Sequence, residues 1–319
     1  MRKPDPWRRD VIGPRARLIL ESTLAERVEF DVPLARHTSL RIGGPADAVI
    51  TPRDRKDLSH ALAICAQHDL PTRTLGAGFN VLVGEDGLPE VVLRLKRLRA
   101  IEYVAPDAIS VETGASHATL TRYCVDQGLS GLEFGAGIPG TIGGWLAMNA
   151  GIGVREMKDV VRSIELMDRL GELSPPIARD DLDFRYRELA GLPEGSVLVG
   201  AQLQVEASER SKVQSEIDRL LAQRQATQPI DVPSCGSVFR NPPGDYAGRL
   251  IEAAGLKGAR EGAAEISRVH ANFIVNHGGA SARDVRRLID RARAAVAAET
   301  GIELETEVQL IGSFEGDSL

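Results

Sequence analysis

The chain has 319 residues, which is enough for two or three domains with ordinary hydrophobic cores. Hydrophobic residues make up 43% and charged residues 26% of the sequence, and the net charge is −6. This balance is typical of a soluble globular protein and offers no basic surface of the kind that nucleic-acid binding needs. Three cysteines, an odd number in so long a chain, argue against a secreted disulfide framework.

Residues 1–25 are predicted to form a variable leader, because they are rich in Arg and Pro and show little periodicity. They lack the apolar run of a signal peptide. Residues 135–154 carry no charge over 20 positions, the length of a spanning helix, but they contain seven glycines and Pro139. Such a composition suits tight turns better than a lipid-facing helix. We therefore expect a cytoplasmic protein with no membrane span and no nucleic-acid partner.

The first predicted unit covers residues 26–98 and combines strands with one amphipathic helix. Strands are predicted at residues 47–52, 72–75 and 90–95, and the helix at residues 54–69. The apolar stripe of this helix consists of Leu58, Ala61, Leu62 and Cys65. Cys65 is therefore predicted to be a core residue.

The second predicted unit covers residues 99–208, and the third covers residues 209–319. In the second unit, a helix is predicted at residues 118–127, and strands are predicted at 101–105, 108–113, 163–168 and 196–207. In the third unit, Ser281 and Asp284 open a helix in the manner of a capping box, and Gly301 ends it. Because strands and helices do not alternate regularly, an α+β fold is favoured over a doubly wound sheet.

A last strand is predicted over residues 302–311, where apolar and polar residues alternate. One face would consist of Ile302, Leu304, Val308 and Leu310, and the other of Glu303, Glu305, Glu307 and Gln309. A strand with one acidic face is typical of a solvated sheet edge.

No motif for zinc hydrolysis, P-loop chemistry or serine hydrolysis is present in the sequence. The six histidines are scattered, and only His270 and His277 have a spacing that a metal site could use. We read them as surface or packing histidines and predict no metal.

Gly135, Gly137 and Gly140 form a GxGxxG pattern. Pro139 and the glycine pair that follows argue against the clean helix start that a Rossmann fingerprint requires. As a backbone cradle for a diphosphate, this loop and the glycine-rich turn at residues 76–80 are both candidates. Two such loops would suit a large dinucleotide cofactor, although glycine turns occur in many other proteins.

Seven blocks of sequence, in order, resemble the motifs of the UDP-N-acetylenolpyruvoylglucosamine reductase family. They are HTSLRIGGPAD (37–47), LGAGFNVLV (75–83), GIPGTIGGWLAMNAG (137–151), FRYREL (184–189), QPIDVPSCGSVFRNP (228–242), AGLKGAREGAAEISRVHANFIVN (254–276) and LETEVQLIG (304–312). The resemblance spans residues 30–312. Because 50 positions separate Arg187 from Ser237, it points to the shorter class of the family, which lacks an inserted tyrosine loop.

This resemblance implies an FAD-dependent oxidoreductase that uses NADPH to make UDP-N-acetylmuramate for bacterial peptidoglycan. It implies two FAD-binding α+β subdomains of the vanillyl-alcohol-oxidase type, followed by a substrate-binding domain. The partners would be the UDP-sugar substrate and NADPH, and the chain is expected to be a monomer.

Three residues are implied to be catalytic. A hydride would add to the enolpyruvyl methylene carbon, and Arg187 would stabilise the enolate that results. Ser237 would protonate the alpha carbon, and Glu307 would lie near the substrate carboxylate. Without the resemblance, Arg187 is a surface arginine, Ser237 a turn serine and Glu307 one of three acids on a solvated face.

The resemblance also implies two sets of binding residues. At the FAD they are Arg41, Gly76, Ala77, Gly78, Phe79, Asn80, Val81, Gly137, Ile138, Pro139, Gly140, Thr141, Gly144, Gly151 and Arg224. At the UDP-sugar they are Tyr186, Arg240, Asn241, Lys257, His270 and Asn272. Phe79 stands where the family usually has serine, so one hydroxyl that could contact an FAD phosphate is missing. Arg240 replaces the usual lysine, which keeps the positive charge near the UDP-sugar but alters its geometry. Cys235, near Ser237, has no adjacent histidine to activate it, and the family's reaction needs no thiol.

Two other functions stay open on the sequence. One is a different FAD oxidoreductase of the same fold, such as an alcohol oxidase that uses oxygen; the substrate-domain motifs argue against it. The other is a catalytically silent flavin or nucleotide-sugar binding protein; the presence of Arg187, Ser237 and Glu307 argues against that.

Overall fold

A computed structural model describes residues 12–314 of the chain. Its architecture rests on three larger sheets, and each of them falls within one of the three predicted units. The mixture of parallel and antiparallel strands with helices confirms the predicted α+β class. In the described part of the chain, no helix is long and apolar enough to cross a membrane.

The first unit is a four-stranded sheet covered by a helix. Its elements are α1 (Pro14–Leu24), β1 (Val28–Pro33), β2 (Pro45–Ile50), α2 (Arg55–Gln67), β3 (Thr72–Thr74), β4 (Val81–Val83) and β5 (Leu88–Leu93). The sheet order is β1-β2-β5-β3, with β2, β5 and β3 parallel. The side chain of Asp54 caps α2 by accepting from the Asp57 amide, and the predicted stripe of this helix is buried. Cys65 is confirmed as a core residue.

Helix α1 lies within the stretch that was expected to be a variable leader. Ile12, Leu20 and Leu24 are buried in the same core as α2, so the described part of this stretch is packed onto the first unit. The helix was not predicted, because only two of its residues, Leu20 and Leu24, are buried and they give too short an apolar pattern. The rest of the predicted leader, residues 1–11, lies outside the described residues.

The second unit contains the longest antiparallel sheet, with the order β12-β11-β15-β7-β6. Its elements are β6 (Ile101–Ala105), β7 (Ala108–Glu112), α3 (His117–Gln127), β8 (Leu129–Ser130), α4 (Ile142–Ala147), β9 (Gly151–Ile152), β10 (Arg155–Glu156), β11 (Val161–Met167), β12 (Ile177–Ala178), β13 (Asp183–Arg185), β14 (Glu188–Ala190), β15 (Val197–Gln204) and β16 (Glu206–Ala207).

The short helix α4 corrects one sequence interpretation. Its start follows the GxGxxG pattern directly, although the glycine pair was expected to prevent a clean start there. Thr141 caps the helix by accepting from the Gly144 amide at 3.4 Å. Gly143 is needed for packing, because a Cβ at this position would lie 3.0 Å from Thr113 Cβ. The glycines thus allow close helix–strand contact and do not block the helix.

The third unit packs two helices against a four-stranded antiparallel sheet with the order β17-β20-β19-β18. Its elements are α5 (Arg210–Thr227), β17 (Ser234–Ser237), α6 (Ala247–Ala253), β18 (Arg260–Glu261), β19 (Ala264–Ile266), β20 (Phe273–Asn276), α7 (Ala282–Thr300) and β21 (Gln309–Ile311). The capping box of Ser281 and Asp284 and the left-handed Gly301 are confirmed at the ends of α7.

The predicted strand over residues 302–311 is wrong for most of its length. Only β21 is a strand, and it pairs in parallel with β4 of the first unit. The preceding residues instead follow Val238, whose carbonyl accepts from the Glu307 amide at 2.8 Å. The predicted alternation of buried and exposed side chains also fails: Leu310, within β21, is 39% exposed, whereas the Glu307 side chain is only 17% exposed.

Ser39 and Asn276 are among the side chains that fasten the third unit to the first. Ser39 Oγ donates to the Ser234 carbonyl at 2.6 Å. Buried Asn276 donates through Nδ2 to the Leu40 carbonyl at 2.9 Å, and its Oδ1 accepts from the Gly278 and Ala280 amides. These bonds fix the position of β17 relative to the loops of the first unit.

Replacing Asn276 by Ala is expected to lower the free energy of unfolding by about 1–3 kcal/mol. The reason is that the Leu40 carbonyl and the amides of Gly278 and Ala280 lose their hydrogen-bond partner. The measurement is urea denaturation followed by fluorescence and circular dichroism. Gln225→Ala, at an exposed position of α5, is the control and should change stability by less than about 0.5 kcal/mol. Equal effects of the two substitutions would contradict the anchoring role.

Candidate active site

A cleft of about 1220 Å³ lies where the three units meet. Every residue that was predicted to bind FAD lines it, and so do Arg187, Ser237 and Glu307. The structure therefore brings together residues that are distributed over most of the chain. The cleft is larger than the roughly 300–1,000 Å³ of common small-molecule sites, as an extended dinucleotide would require.

The two glycine-rich loops form adjoining walls of this cleft. A Cβ at Gly76 would lie 2.8 Å from Thr141 Oγ1, which shows how closely the loops approach. Gly78 has a φ of +70°, and a Cβ there would lie 2.3 Å from the His37 carbonyl oxygen. Glycine is therefore required at position 78 both by the backbone conformation and by the space. Such loops present main-chain amides that can bind a diphosphate.

Basic side chains lie along the same cleft. Besides the predicted Arg41 and Arg224, the lining includes Arg94, Lys96 and Arg99, which the sequence analysis missed. Burial lowers the pKa of both Arg94 and Arg224, so an anion in the cleft would compensate a real desolvation cost. The basic run at residues 94–99 was the available signal. Together with the glycine loops, these cations fit an anionic dinucleotide such as FAD.

The three predicted catalytic residues line the same cleft, and two of them are in contact. Arg187 Nε lies 3.4 Å from Glu307 Oε1, and both side chains are largely buried. Ser237 ends β17, and the next residue, Val238, accepts the Glu307 amide. Arg187 Nε is buried and has no well-aligned hydrogen bond within residues 12–314.

Arg187 is held in an unusual backbone conformation. It is the second residue of the two-residue turn between β13 and β14, and its φ is +58°. A residue with a Cβ loses about 1–2 kcal/mol in this left-handed region. Its guanidinium lies 5.0 Å from the centre of the Tyr186 ring. Strain of this kind at a cleft is typical of a functional position.

The electrostatics of Glu307 are dominated by burial. Burial raises the pKa of the Glu307 carboxyl above its ordinary value, and the positive charges of Arg187 and Arg240 only partly oppose this. Glu307 can therefore hold a proton more readily than an exposed glutamate. This property suits a group that meets a substrate carboxylate.

A smaller cavity of about 440 Å³ includes Ser237 in its lining and so adjoins the main cleft. Of the predicted substrate residues, Asn241, His270 and Asn272 line it. Tyr186, Arg240 and Lys257 lie outside the linings of both cavities. Lys257 Nζ instead contacts Glu252 at 2.8 Å.

Two of these lining residues already have structural bonds. Asn272 donates to the Phe239 carbonyl at 2.8 Å and accepts its amide at 2.9 Å. Asn241 Oδ1 accepts from the Ala247 amide at the start of α6. The pKa of His270 is lowered by burial and by the charge of Lys257, so this ring is mainly neutral at pH 7. The charged residues in the lining of this cavity are Arg249 and Glu252.

The remaining reactive side chains have structural roles. Cys235 is completely buried, and burial raises the pKa of its thiol to about 12, which makes it a poor nucleophile. His277 Nε2 lies 3.2 Å from Glu265. Within residues 12–314, no group of three or more His, Cys, Asp and Glu side chains could hold a metal ion.

The architecture and the cleft define a flavin-dependent oxidoreductase of α+β fold. Residues 46–174 match an FAD binding domain, and residues 228–311 match the C-terminal domain of UDP-N-acetylenolpyruvoylglucosamine reductase. The chain belongs to the UDP-N-acetylenolpyruvoylglucosamine reductase family.

Whole-chain similarities give the same result. The reductase of Alkalilimnicola ehrlichii is 47% identical over 89% of this chain and 94% of its own length. The reductase of Geobacter sulfurreducens is 41% identical over 92% of this chain and 97% of its own. The crystal structure of UDP-N-acetylenolpyruvylglucosamine reductase from Thermus caldophilus has a TM-score of 0.77 at 36% identity, covering 89% of this chain and 98% of that one.

Gly78→Ala is expected to reduce bound FAD, because the new Cβ would collide with the His37 carbonyl and displace the loop. The measurement is the ratio of flavin to protein absorbance after purification and after titration with FAD. Gly244→Ala is the matched control: its φ is +80°, but no atom lies within 4 Å of a new Cβ. Equal FAD affinity in both variants would contradict the cradle.

Glu307→Gln is expected to change stability in a pH-dependent way. A carboxyl whose pKa is raised by folding costs stability as pH rises from the unfolded value, about 4.3, through the folded value. Glutamine removes this cost, so the Tm of the variant relative to the unmodified chain should increase between pH 4 and pH 7. Glu305→Gln, at a side chain that is 79% exposed, is the control. A Tm difference that is constant with pH would contradict the raised pKa.

Proposed function

We propose that Arg187, Ser237 and Glu307 form the catalytic centre with which this member of the family reduces UDP-N-acetylenolpyruvoylglucosamine to UDP-N-acetylmuramate, with FAD as cofactor and NADPH as reductant. The observation that carries this proposal is that the three residues line one cleft together with both glycine loops. The reaction belongs to the synthesis of peptidoglycan precursors.

FAD, when bound, would supply the redox chemistry that links NADPH to the enolpyruvyl group. The two glycine loops would hold its diphosphate through main-chain amides, with Arg41 and Arg224 adding positive charge. Phe79 lines the cleft without a hydroxyl, so the loop amides carry this contact. The same cleft would admit NADPH before the sugar nucleotide.

Arg187 stabilises negative charge on the substrate. During reduction the charge builds at the alpha carbon and spreads into the carboxylate. A buried guanidinium fixed beforehand in a strained turn needs little reorganisation, and one well-placed donor of this type contributes about 3–4 kcal/mol. Arg240 lies close enough to act on the charge of Glu307 and adds to the positive potential.

Ser237 provides the proton for the alpha carbon. A serine hydroxyl is a weak acid, so its position and its neighbours must assist the transfer. Glu307, on the segment that pairs with Val238, is the neighbouring acid, and its raised pKa lets it share a proton with the substrate carboxylate or orient the relay. When no substrate is bound, the positive charge of Arg187 and the carboxylate of Glu307 partly neutralise each other.

The smaller cavity is the proposed place for the nucleotide part of the substrate. It meets the main cleft at Ser237, as a substrate with its reactive end at the flavin would require. Asn241 and His270 would contact the ligand, and Asn272 would shape the cavity through its bonds to Phe239. Tyr186 and Lys257 are proposed to reach the ligand from outside the two linings.

The division of the chain at residues 26, 99 and 209 is kept as a proposal. The three larger sheets support it, whereas Val213 and Ile217 of α5 are buried against Ala136 of the second unit. Helix α1 precedes the first of these boundaries, but it packs against the first unit. The monomeric state and the cytoplasmic location stay predictions.

Ser237→Ala is expected to abolish the second half of the reaction and to spare the first. Anaerobic reduction of bound FAD by NADPH should keep its rate, whereas reoxidation by UDP-N-acetylenolpyruvoylglucosamine should slow by about 10²–10⁴-fold, the usual contribution of a general acid. Stopped-flow absorbance of the flavin measures both steps. Ser234→Ala, on the same strand, is the control.

Three results would contradict the proposal. Unchanged reoxidation in Ser237→Ala would remove the proton-donor role. An unmodified enzyme that is reduced by NADPH but ignores the sugar nucleotide would remove the substrate. Rapid reoxidation by oxygen alone, without the sugar nucleotide, would indicate an oxidase.

A further inference from the structure

We propose that Asn149 is a positioning residue that holds the hairpin of Arg187 against the segment lining the flavin side of the cleft. The inference rests on the proposed role of Arg187. Met148 and Ala150 both line the cleft, whereas Asn149 between them does not and is completely buried. A buried polar side chain in such a place must find partners inside the protein.

The Asn149 amide uses both of its ends. Nδ2 donates to the Arg185 carbonyl at 2.9 Å and to Glu156 Oε2 at 3.0 Å. Oδ1 accepts from the Lys158 amide at 3.0 Å. Arg185 is the last residue of β13, two positions before Arg187. One side chain therefore joins the cleft-lining segment to the catalytic hairpin.

The backbone at position 149 narrows the choice of residue further. Its φ is +40°, in the left-handed region that glycine and, among other residues, asparagine and aspartate adopt most readily. Glycine would have no amide to donate. Aspartate would place a carboxylate against the Arg185 carbonyl and the Glu156 carboxylate. Asparagine is the residue type that satisfies both the backbone and the donor requirement.

The hairpin depends on such support because it has little of its own. β13 and β14 contain three residues each and form a sheet of only two strands, which is marginal by itself in water. Its turn also carries the strain of Arg187. Phe184 and Leu189 pack on the hydrophobic core of the second unit. The bond from Asn149 fixes the end of β13 next to the turn. Loss of that bond frees the segment from which Arg187 projects.

The expected consequence is selective. A displacement of about 1 Å at a catalytic group can slow a reaction by up to about 10²-fold. Arg187 acts on the enolpyruvyl group, so the step affected is reoxidation of the flavin by the sugar nucleotide. Reduction by NADPH, the FAD content and the flavin absorption spectrum should change by less than about 2-fold.

Three variants separate the hairpin bond from local structure. Asn149→Gly keeps the backbone conformation but removes the amide. Glu156→Gln is the matched control, since its amide oxygen still accepts from Asn149. The double variant Asn149→Asp, Glu156→Gln restores a bond between positions 149 and 156 with reversed polarity, yet leaves the Arg185 carbonyl without its donor.

Two measurements on the FAD-loaded protein test the proposal. Hydrogen–deuterium exchange of the peptide covering residues 183–190 should accelerate in Asn149→Gly and in the double variant, but not in Glu156→Gln. Anaerobic stopped-flow should show reoxidation slowed by about 10- to 100-fold in the same two variants. In an Arg187→Ala background, Asn149→Gly should cause no further slowing, because both changes remove the same interaction.

Several outcomes would overturn it. Unchanged exchange in the hairpin peptide would show that Asn149 does not anchor it. Faster exchange with normal reoxidation would show that the anchor does not position Arg187. A parallel loss of both half-reactions and of FAD would indicate a purely structural role. If the unmodified enzyme does not react with the sugar nucleotide, the proposed function fails, and the exchange measurement still decides whether the anchor exists.

Discussion

The site depends on the burial of two opposite charges, Arg187 and Glu307, which face each other across one end of the cleft. Neither charge is well solvated there, and an ion pair in such a place repays only part of the desolvation cost. The raised pKa of Glu307 is the direct sign that burial prevails over attraction. If an anionic substrate entered between the two groups, Arg187 would gain a negatively charged partner, and Glu307 would take up a proton.

This arrangement requires the segment around β21 to pair with β4 of the first unit. Glu307 reaches the cleft because β21 pairs with β4, immediately after the second half of the glycine-rich turn. The Gln309 amide donates to the Asn80 carbonyl at 3.0 Å, and Asn80 Nδ2 donates to the Glu307 carbonyl at 3.0 Å. The loop proposed for the cofactor and the segment proposed for the acid thus hold each other in place.

The sequence predicted the elements whose pattern is local and missed those that depend on distant partners. Helix α2 and helix α7 were found because their apolar stripes and caps lie within a few residues. The strand predicted at residues 302–311 failed over its first seven residues, because their alternation reflects contacts with Val238 and the cleft and not a sheet. Arg94 was missed because a basic run is usually a solvated face, and only the folded chain turns it into a cleft.

The same reasoning explains why the site residues needed the resemblance. Periodicity placed Glu307 among equivalent acids, and no local rule separates it from Glu305. The folded chain separates them completely, since one side chain is 17% exposed and the other 79%. The motif was informative because it encodes a contact with a strand some seventy residues away, which composition cannot show.

Net charge was also a poor guide to the ligand. A chain of net charge −6 argues against binding an extended polyanion, yet its cleft collects Arg41, Arg94, Lys96, Arg99 and Arg224. Acidic side chains elsewhere cancel these cations in the total, but exposed charges that are farther apart than about one screening length, 8–10 Å, interact only weakly. A compact anion such as a dinucleotide or a nucleotide sugar responds to the local potential, whereas a nucleic acid responds to the whole surface. The acidic total and the basic cleft are therefore compatible, and together they select small anionic ligands.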